Sequence, residues 1–122
     1  MEIQRRNELL RHLPRALDPA LREGRVTACV GANDSFAVVC REALTRRGVR
    51  VPTDVSLVGF DDTEESSLCK INSYNFNYAG LTAAMVGFVV GSAVSGQVRA
   101  RGVVTLDGCV VERGSVRTMR DG

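Results

Sequence analysis

Apolar positions along the chain change period several times, and each change marks an element. Ile3, Leu9, Leu10 and Leu13 fall on one helical stripe, and Pro14 is expected to end that helix. Asp18-Pro19 reads as an N-cap followed by a first-turn proline, opening a short turn that Gly24 closes. Residues 26–30 are a compact apolar run of strand length. Directly afterwards Asn33 or Asp34 can cap a helix whose apolar face is Phe36, Val39, Cys40, Ala43 and Leu44, with Gly48 as its stop. A turn marked by Val51-Pro52-Thr53-Asp54 leads into a second buried strand over 55–60. Asp62 with Glu65 three positions on has capping-box spacing, so a short helix is expected before the strand-like residues 71–76. Residues 79–94 form a second long helix, apolar on nearly every side, which requires cover from more than one neighbour. Residues 103–106 and 109–112, around Asp107-Gly108, predict two strands and a two-residue hairpin turn.

The order strand, helix, strand, short helix, strand, helix, hairpin defines an α/β fold on a parallel sheet. Ligands of such sheets gather at the carboxyl ends of the strands. Those ends carry Asn33-Asp34, Asp61-Asp62 and Tyr74-Asn75-Phe76-Asn77, three polar clusters converging on one rim. Carboxylates and a carboxamide beside aromatic rings suit a neutral polyhydroxylated ligand. An ionised carboxylate accepts from vicinal hydroxyls, and a ring covers the apolar face of a sugar. From spacing alone a plainer reading stays open, in which Asn33 and Asp34 only cap one helix and Asp61 and Asp62 only begin another.

Composition narrows the classes. At 122 residues, with 44% hydrophobic and 25% charged residues, the chain is one domain's worth of globular protein. Its longest apolar stretch, over 81–94, falls short of the ~18 residues of a membrane span. The start Met1-Glu2-Ile3-Gln4-Arg5-Arg6 is charged and not a signal core, so a cytoplasmic location is expected, with no membrane partner. Six arginines in the first 25 residues are interleaved with Glu2, Glu8, Asp18 and Glu23, which reads as a solvated helix face and not a DNA-reading one. Cys29, Cys40, Cys69 and Cys109 form no CxxC and have only His12 as a potential co-ligand, so reduced core cysteines are expected in place of zinc. The acidic run 61–65 points its side chains in different directions and has no phosphate-cradling glycine loop, so no metal site is expected. His12 precedes the first strand, out of reach of a nucleophile, and no cofactor fingerprint occurs. The chain reads as a non-enzyme without cofactors.

Val30-Gly31-Ala32-Asn33-Asp34-Ser35-Phe36-Ala37, then Arg47-Gly48-Val49-Arg50-Val51-Pro52-Thr53-Asp54-Val55-Ser56-Leu57-Val58-Gly59-Phe60-Asp61-Asp62, then Glu112-Arg113-Gly114-Ser115-Val116-Arg117 resemble the LacI/GalR family of transcriptional regulators. Specifically, they resemble the C-terminal part of its effector-binding core, the C-terminal lobe of a type I periplasmic-binding-protein-like fold. The resemblance covers most of residues 26–117. It implies that Asn33 contacts effector with Asp34 as its helix-capping neighbour, that Asp61 grips effector hydroxyls, and that Phe76 meets ligand where the chain crosses between lobes. Asp34, Phe60, Asp62 and Tyr74 are further candidates. The family's Pro-Pro-Leu-Thr-Thr-Val-like run is replaced by Lys70-Ile71-Asn72-Ser73-Tyr74-Asn75-Phe76, which leaves the effector's identity open and is compatible with the subgroup fused to a GntR-type winged helix.

By the same resemblance a dimer interface involves Val38, Glu42, Thr45, Ser66, Ser67 and Leu68. Family members are far longer, with a DNA-binding head and an N-terminal lobe ahead of these residues. Residues 1–122 are therefore expected to be a single partial domain whose 78–94 helix packs on the absent lobe or on a partner chain. The expected function is the sugar-binding and dimerisation portion of a repressor, which meets DNA only through the absent head and forms a homodimer or larger self-association. The alternatives are a fragment of a periplasmic-type sugar-binding protein and a ligand-free interaction module.

Overall fold

The computed structural model describes residues 2–24, 26–95 and 103–118. Strands β1 (Ala28–Val30), β2 (Ser56–Phe60) and β3 (Asn72–Asn75) lie side by side in chain order and run parallel. β4 (Cys109–Val111) adds to the outer edge of β3 in the antiparallel sense, Ser73 level with Val111 and Asn75 with Cys109. Four helices accompany the sheet: α1 (Glu2–Arg22), α2 (Asp34–Thr45), α3 (Glu64–Leu68) and α4 (Tyr78–Ser95). The α/β class and its mostly parallel sheet follow the sequence pattern.

The core lies between α2 and the sheet. Ala37, Val38, Cys40 and Leu44 of α2 meet Leu57 of β2, together with Val55 and Ile71, and all are buried. Such positions stabilise by ~1.5–3 kcal/mol for each large side chain withdrawn from water. α1 covers this layer from outside through Leu13, Leu17 and Leu21, spaced one turn apart and partly buried on it.

That stripe explains one departure from the sequence reading. α1 does not stop at Pro14 but runs unbroken through Pro14 and Pro19 to Arg22. An interior proline costs ~3 kcal/mol, and three leucines aligned on one packed face offset it. Asp18 accordingly is not an N-cap. Its Oδ1 accepts from Arg47 Nε of the segment after α2, at 2.5 Å, and that bond holds the Asp18 carboxyl below the usual range. The side chains of Ile3, Leu9 and Leu10 lie outside the described residues.

The expected hairpin also differs. Residues 103–108 form no strand, and Val103 is 96% exposed. β4 finds its partner in the free edge of β3, while Val104 and Leu106 lie along α4 and line an apolar groove of about 390 Å³ with Leu81, Met85, Phe88 and Val89. α4 itself packs extensively on no other described helix or strand. Its large side chains from Leu81 to Val90 are exposed, Val89 to 65%. Among the described residues no helix is long and apolar enough to cross a membrane.

Candidate functional site

Because β1, β2 and β3 are parallel, the segments leaving their carboxyl ends emerge on one rim. The first of these is the turn into α2. Gly31 donates to the Val58 carbonyl at 2.8 Å, and a side chain there would strike the backbone nitrogen of Ala37. Asn33 follows in extended backbone, and its Oδ1 accepts from Phe36 N at 2.9 Å, so Asn33 is the cap of α2.

Asp34, the first residue of α2, turns inward and is fully buried. Its Oδ2 accepts from Thr63 N at 2.7 Å and from Thr63 Oγ1 at 3.1 Å, and its Oδ1 accepts from Ser73 Oγ at 2.6 Å. Gly59 beneath it leaves room for the carboxylate, which any β-carbon at that position would overlap. Asp34 therefore ties α2 to β3 and to the start of α3. It offers a ligand no open face, in contrast to its place among the sequence candidates.

At the end of β2 two successive non-glycine residues adopt the left-handed region, Asp61 with φ +96° and Asp62 with φ +52°. Such backbone costs on the order of 1–3 kcal/mol per residue and persists only where the surroundings fix it. Four bonds do so here. Asp61 N donates to the Tyr74 carbonyl at 3.0 Å, and Asp62 N donates to Ser73 Oγ at 3.0 Å. Asn75 Nδ2 donates to Asp62 Oδ2 at 2.7 Å, and the Arg113 guanidinium pairs with Asp62 Oδ1. Asp62 and Arg113 are largely withdrawn from solvent, and Arg113 first, then Asn75, holds the Asp62 carboxyl below the usual carboxylate range. Asp62 thus does not cap α3. Thr63 does, its Oγ1 accepting from Ser66 N at 3.3 Å.

The turn leaves Asp61 facing a different set of groups. Tyr78, at the start of α4, donates its hydroxyl to Asp61 Oδ1 at 3.2 Å, which raises the phenol's pKa. Around them stand four rings. Phe60 and Phe76 stack at 6.0 Å between centroids, Tyr74 meets Phe76 edge-on at 5.0 Å, and Tyr78 lies 5.8 Å from Phe76. Phe76 and Tyr78 are exposed, whereas Phe60 and Tyr74 are half-buried. A carboxylate, a phenol and an apolar aromatic wall thus share one surface, a combination that can accept from hydroxyls while covering a ring face.

The structure brings Phe60, Asp61, Tyr74 and Phe76 together and leaves Asn33 at the head of the neighbouring turn. Tyr78, Ser73 and Arg113 were missed as parts of the arrangement, and Asn75, expected at the rim, turns out to bond Asp62. Tyr78 opens an apolar helix and Arg113 lies 51 positions from Asp62, so no local spacing links either to its partner. Of the surface expected to pair two copies, Val38 and Ser66 are inside the fold, at 5% and 0% exposure, because Val38 joins the core and Ser66 Oγ bonds the Thr63 carbonyl. Thr45, Ser67 and Leu68 are exposed, and Glu42 is half-buried beside Arg46. No cluster of three or more His, Cys, Asp or Glu that could hold a metal ion occurs among the described residues.

This architecture matches a known class. The pattern of periplasmic binding protein-like domains covers residues 2–116, and the chain belongs to that family. Its homologues and structural neighbours are LacI-type transcription regulators. The lactose operon repressor of Escherichia coli (strain K12) is 52% identical over 48 residues, 38% of this chain and 13% of the repressor. The arabinose metabolism transcriptional repressor of Geobacillus stearothermophilus is 46% identical over 41 residues, 34% of this chain and 11% of that protein. A LacI-type transcription regulator from Bifidobacterium animalis subsp. lactis superposes with a TM-score of 0.71 at 29% identity, over 85% of this chain and 38% of the regulator. A dimeric Lac repressor superposes with a TM-score of 0.67 at 33% identity, over 80% and 36% of the respective chains. The chain thus spans little more than a third of these structural relatives. The relatives are repressors and regulators, not enzymes.

Proposed function

We propose that the chain is the effector-binding and dimerisation portion of a cytoplasmic LacI-type regulator, with a neutral sugar or glycoside as effector. One observation carries this reading. Asp61 is held in strained backbone by bonds to Tyr74 and through Asp62 to Arg113, Asn75 and Ser73, and the strain turns its carboxylate toward the Phe60–Tyr74–Phe76–Tyr78 wall. Strain of this kind, over-determined by its surroundings, belongs to sites that must present a group in one orientation. Asp61 would accept from ligand hydroxyls, the rings would cover the sugar's apolar face, and Asn33 would close the near side. The Lac repressor has been described bound to ONPG and, as a dimer, bound to operator and the anti-inducer ONPF.

The exposed faces of α2 and α3, with Thr45, Ser67 and Leu68, form the surface for pairing. α4 would seat on a second lobe in the longer regulator, and ligand closing the two lobes would bias the arrangement of paired DNA-binding heads. The test is titration of the isotope-labelled chain with lactose, galactose and glucose 6-phosphate, following amide and tyrosine resonances. Neutral sugars are expected to shift Asp61 and Tyr78, and Asp61→Ala is expected to abolish that response at nearly unchanged Tm. If no sugar perturbs the rim, or if Asp61→Ala unfolds the domain, Asp61 is structural and the reading falls.

A further inference from the structure

Asp61 and Tyr78 meet at the aromatic wall, and their hydrogen bond decides what each has left to offer. Asp61 is half-buried just after β2, and Tyr78 is exposed at the first position of α4. Tyr78 Oη donates to Asp61 Oδ1 at 3.2 Å, and among the described residues neither side chain has another hydrogen-bond partner. A phenol has one proton to give and two lone pairs with which to accept. Here the proton is committed to Asp61, and that bond raises the phenol's pKa, so the proton stays in place at neutral pH. What faces solvent is therefore Tyr78 Oη as an acceptor only, beside a carboxylate that also only accepts. Both groups are held. Asp61 N is bonded to the Tyr74 carbonyl, and the Tyr78 ring lies against Phe76 with centroids 5.8 Å apart.

Resting on the reading of this rim as a sugar site, we propose that Tyr78 is a specificity-determining residue: its oxygen and the Asp61 carboxylate together take the two hydroxyl donors of a vicinal diol. Two acceptors 3.2 Å apart suit the spacing of oxygens on neighbouring carbons of a sugar ring. One ligand hydroxyl donates to Asp61, and its neighbour donates to Tyr78 Oη, which keeps its own bond to Asp61. Every donor in that set then has an acceptor. A ligand lacking either hydroxyl leaves one acceptor unmet. A ligand presenting a carbonyl, carboxylate or phosphate at the same place sets acceptor against acceptor. The phenol thus turns a carboxylate that would take any single hydroxyl into a pair that reads two adjacent ones.

The chain is titrated with galactose, with glucose and with the singly deoxygenated derivatives of each, one for every hydroxyl, following amide and aromatic resonances. Wild type is expected to lose about fivefold in affinity at each of two adjacent positions. Tyr78→Phe keeps the ring at an exposed site and removes only the hydroxyl, so its Tm should be unchanged. It should bind the parent sugar about fivefold more weakly, and deleting one of the two hydroxyls should then cost nothing further while deleting the other still does. Asp61→Asn should show the complementary pattern. If both deletions keep their full cost in Tyr78→Phe, or if the sensitive hydroxyls are not neighbours, Tyr78 reads nothing and the proposal falls alone. Tighter binding by Tyr78→Phe would overturn it differently, by showing that the phenol competes with ligand for Asp61. Should wild type bind no sugar of either series, the sugar reading of the rim fails and takes this proposal with it.

Discussion

The two long C-terminal and central helices, α2 and α4, are both rich in apolar and small residues, yet they sit in opposite surroundings. Seven of the α2 residues are buried between the sheet, α1 and α3, and its polar first turn is consumed by Asn33 and Asp34. α4 has no charged residue in its 18 positions and leaves Leu81, Met85, Phe88 and Val89 bare apart from the shallow groove they share with Val104 and Leu106. The contrast separates two meanings of an apolar helix. In α2 the buried apolar residues meet partners already present, the sheet, α1 and α3. In α4 hydrophobicity on every face specifies only that cover is needed, and a contiguous bare patch of this kind marks an interaction surface.

The α2 side of that contrast should respond most to mutation. Asp34→Ala removes the common acceptor of Thr63 N, Thr63 Oγ1 and Ser73 Oγ, stranding buried donors beneath the rim. A loss of about 4 kcal/mol is expected in urea unfolding, and a loss below about 1 kcal/mol would show that the tie is dispensable. The sequence made Asn33 and Asp34 legible as a helix start, because cap residues after an apolar strand are a local signal. It could not show that Asp34 points inward, since Thr63 and Ser73 lie 29 and 39 positions away.

A smaller effect is expected at the turn that holds Asp61. Arg113→Ala leaves Asp62 largely buried without its cation, at about 3 kcal/mol. Its pH dependence has a definite sign. The folded carboxyl is held below its unfolded value, so the pair's contribution is whole above the ordinary carboxylate pKa of ~3.9 and fades as the pH falls below it. The stability gap between wild type and Arg113→Ala should therefore narrow on acidification through that range. A gap independent of pH would mean that packing, not charge, holds the turn. Asp54, drawn down to about 2 by Arg50, is present in both proteins and cancels from the gap.

The smallest effect belongs to α4. Val89→Ser on its open face should move stability by no more than about 0.5 kcal/mol, in sharp contrast with any substitution on the sheet-facing side of α2. A loss of 2 kcal/mol or more would place Val89 in a core, and the division between the two helices would fail.

Much of the fold could be read in advance, because strands over 26–30, 55–60 and 71–76 and the long helix near 79–94 are local apolar patterns with clear punctuation. What escaped was set by distant partners. Pro14 passed into α1 because Leu13, Leu17 and Leu21 found α2, and residues 103–106 lost their strand because β4 found β3. The rim was foreseeable as three polar clusters at parallel strand ends. Its division of labour was not: Asp61 displayed, Asp62 bound to Arg113, and Asp34 buried look alike in sequence and differ only in their neighbours across the sheet.

Ser115 occupies the place beside β2 where β3 has not yet begun. Its carbonyl accepts from Leu57 N at 2.8 Å, its hydroxyl bonds the Leu57 carbonyl, and Asn72 N donates to that same hydroxyl at 2.7 Å. Arg113 and Arg117 anchor the flanks of this segment on Asn72 and Ser56. During synthesis the chain emerges in order, so β1, β2 and β3 leave the ribosome with this part of the sheet still open. The backbone groups of Leu57 and Asn72 that Ser115 meets find these partners only after residues 113–117 have emerged.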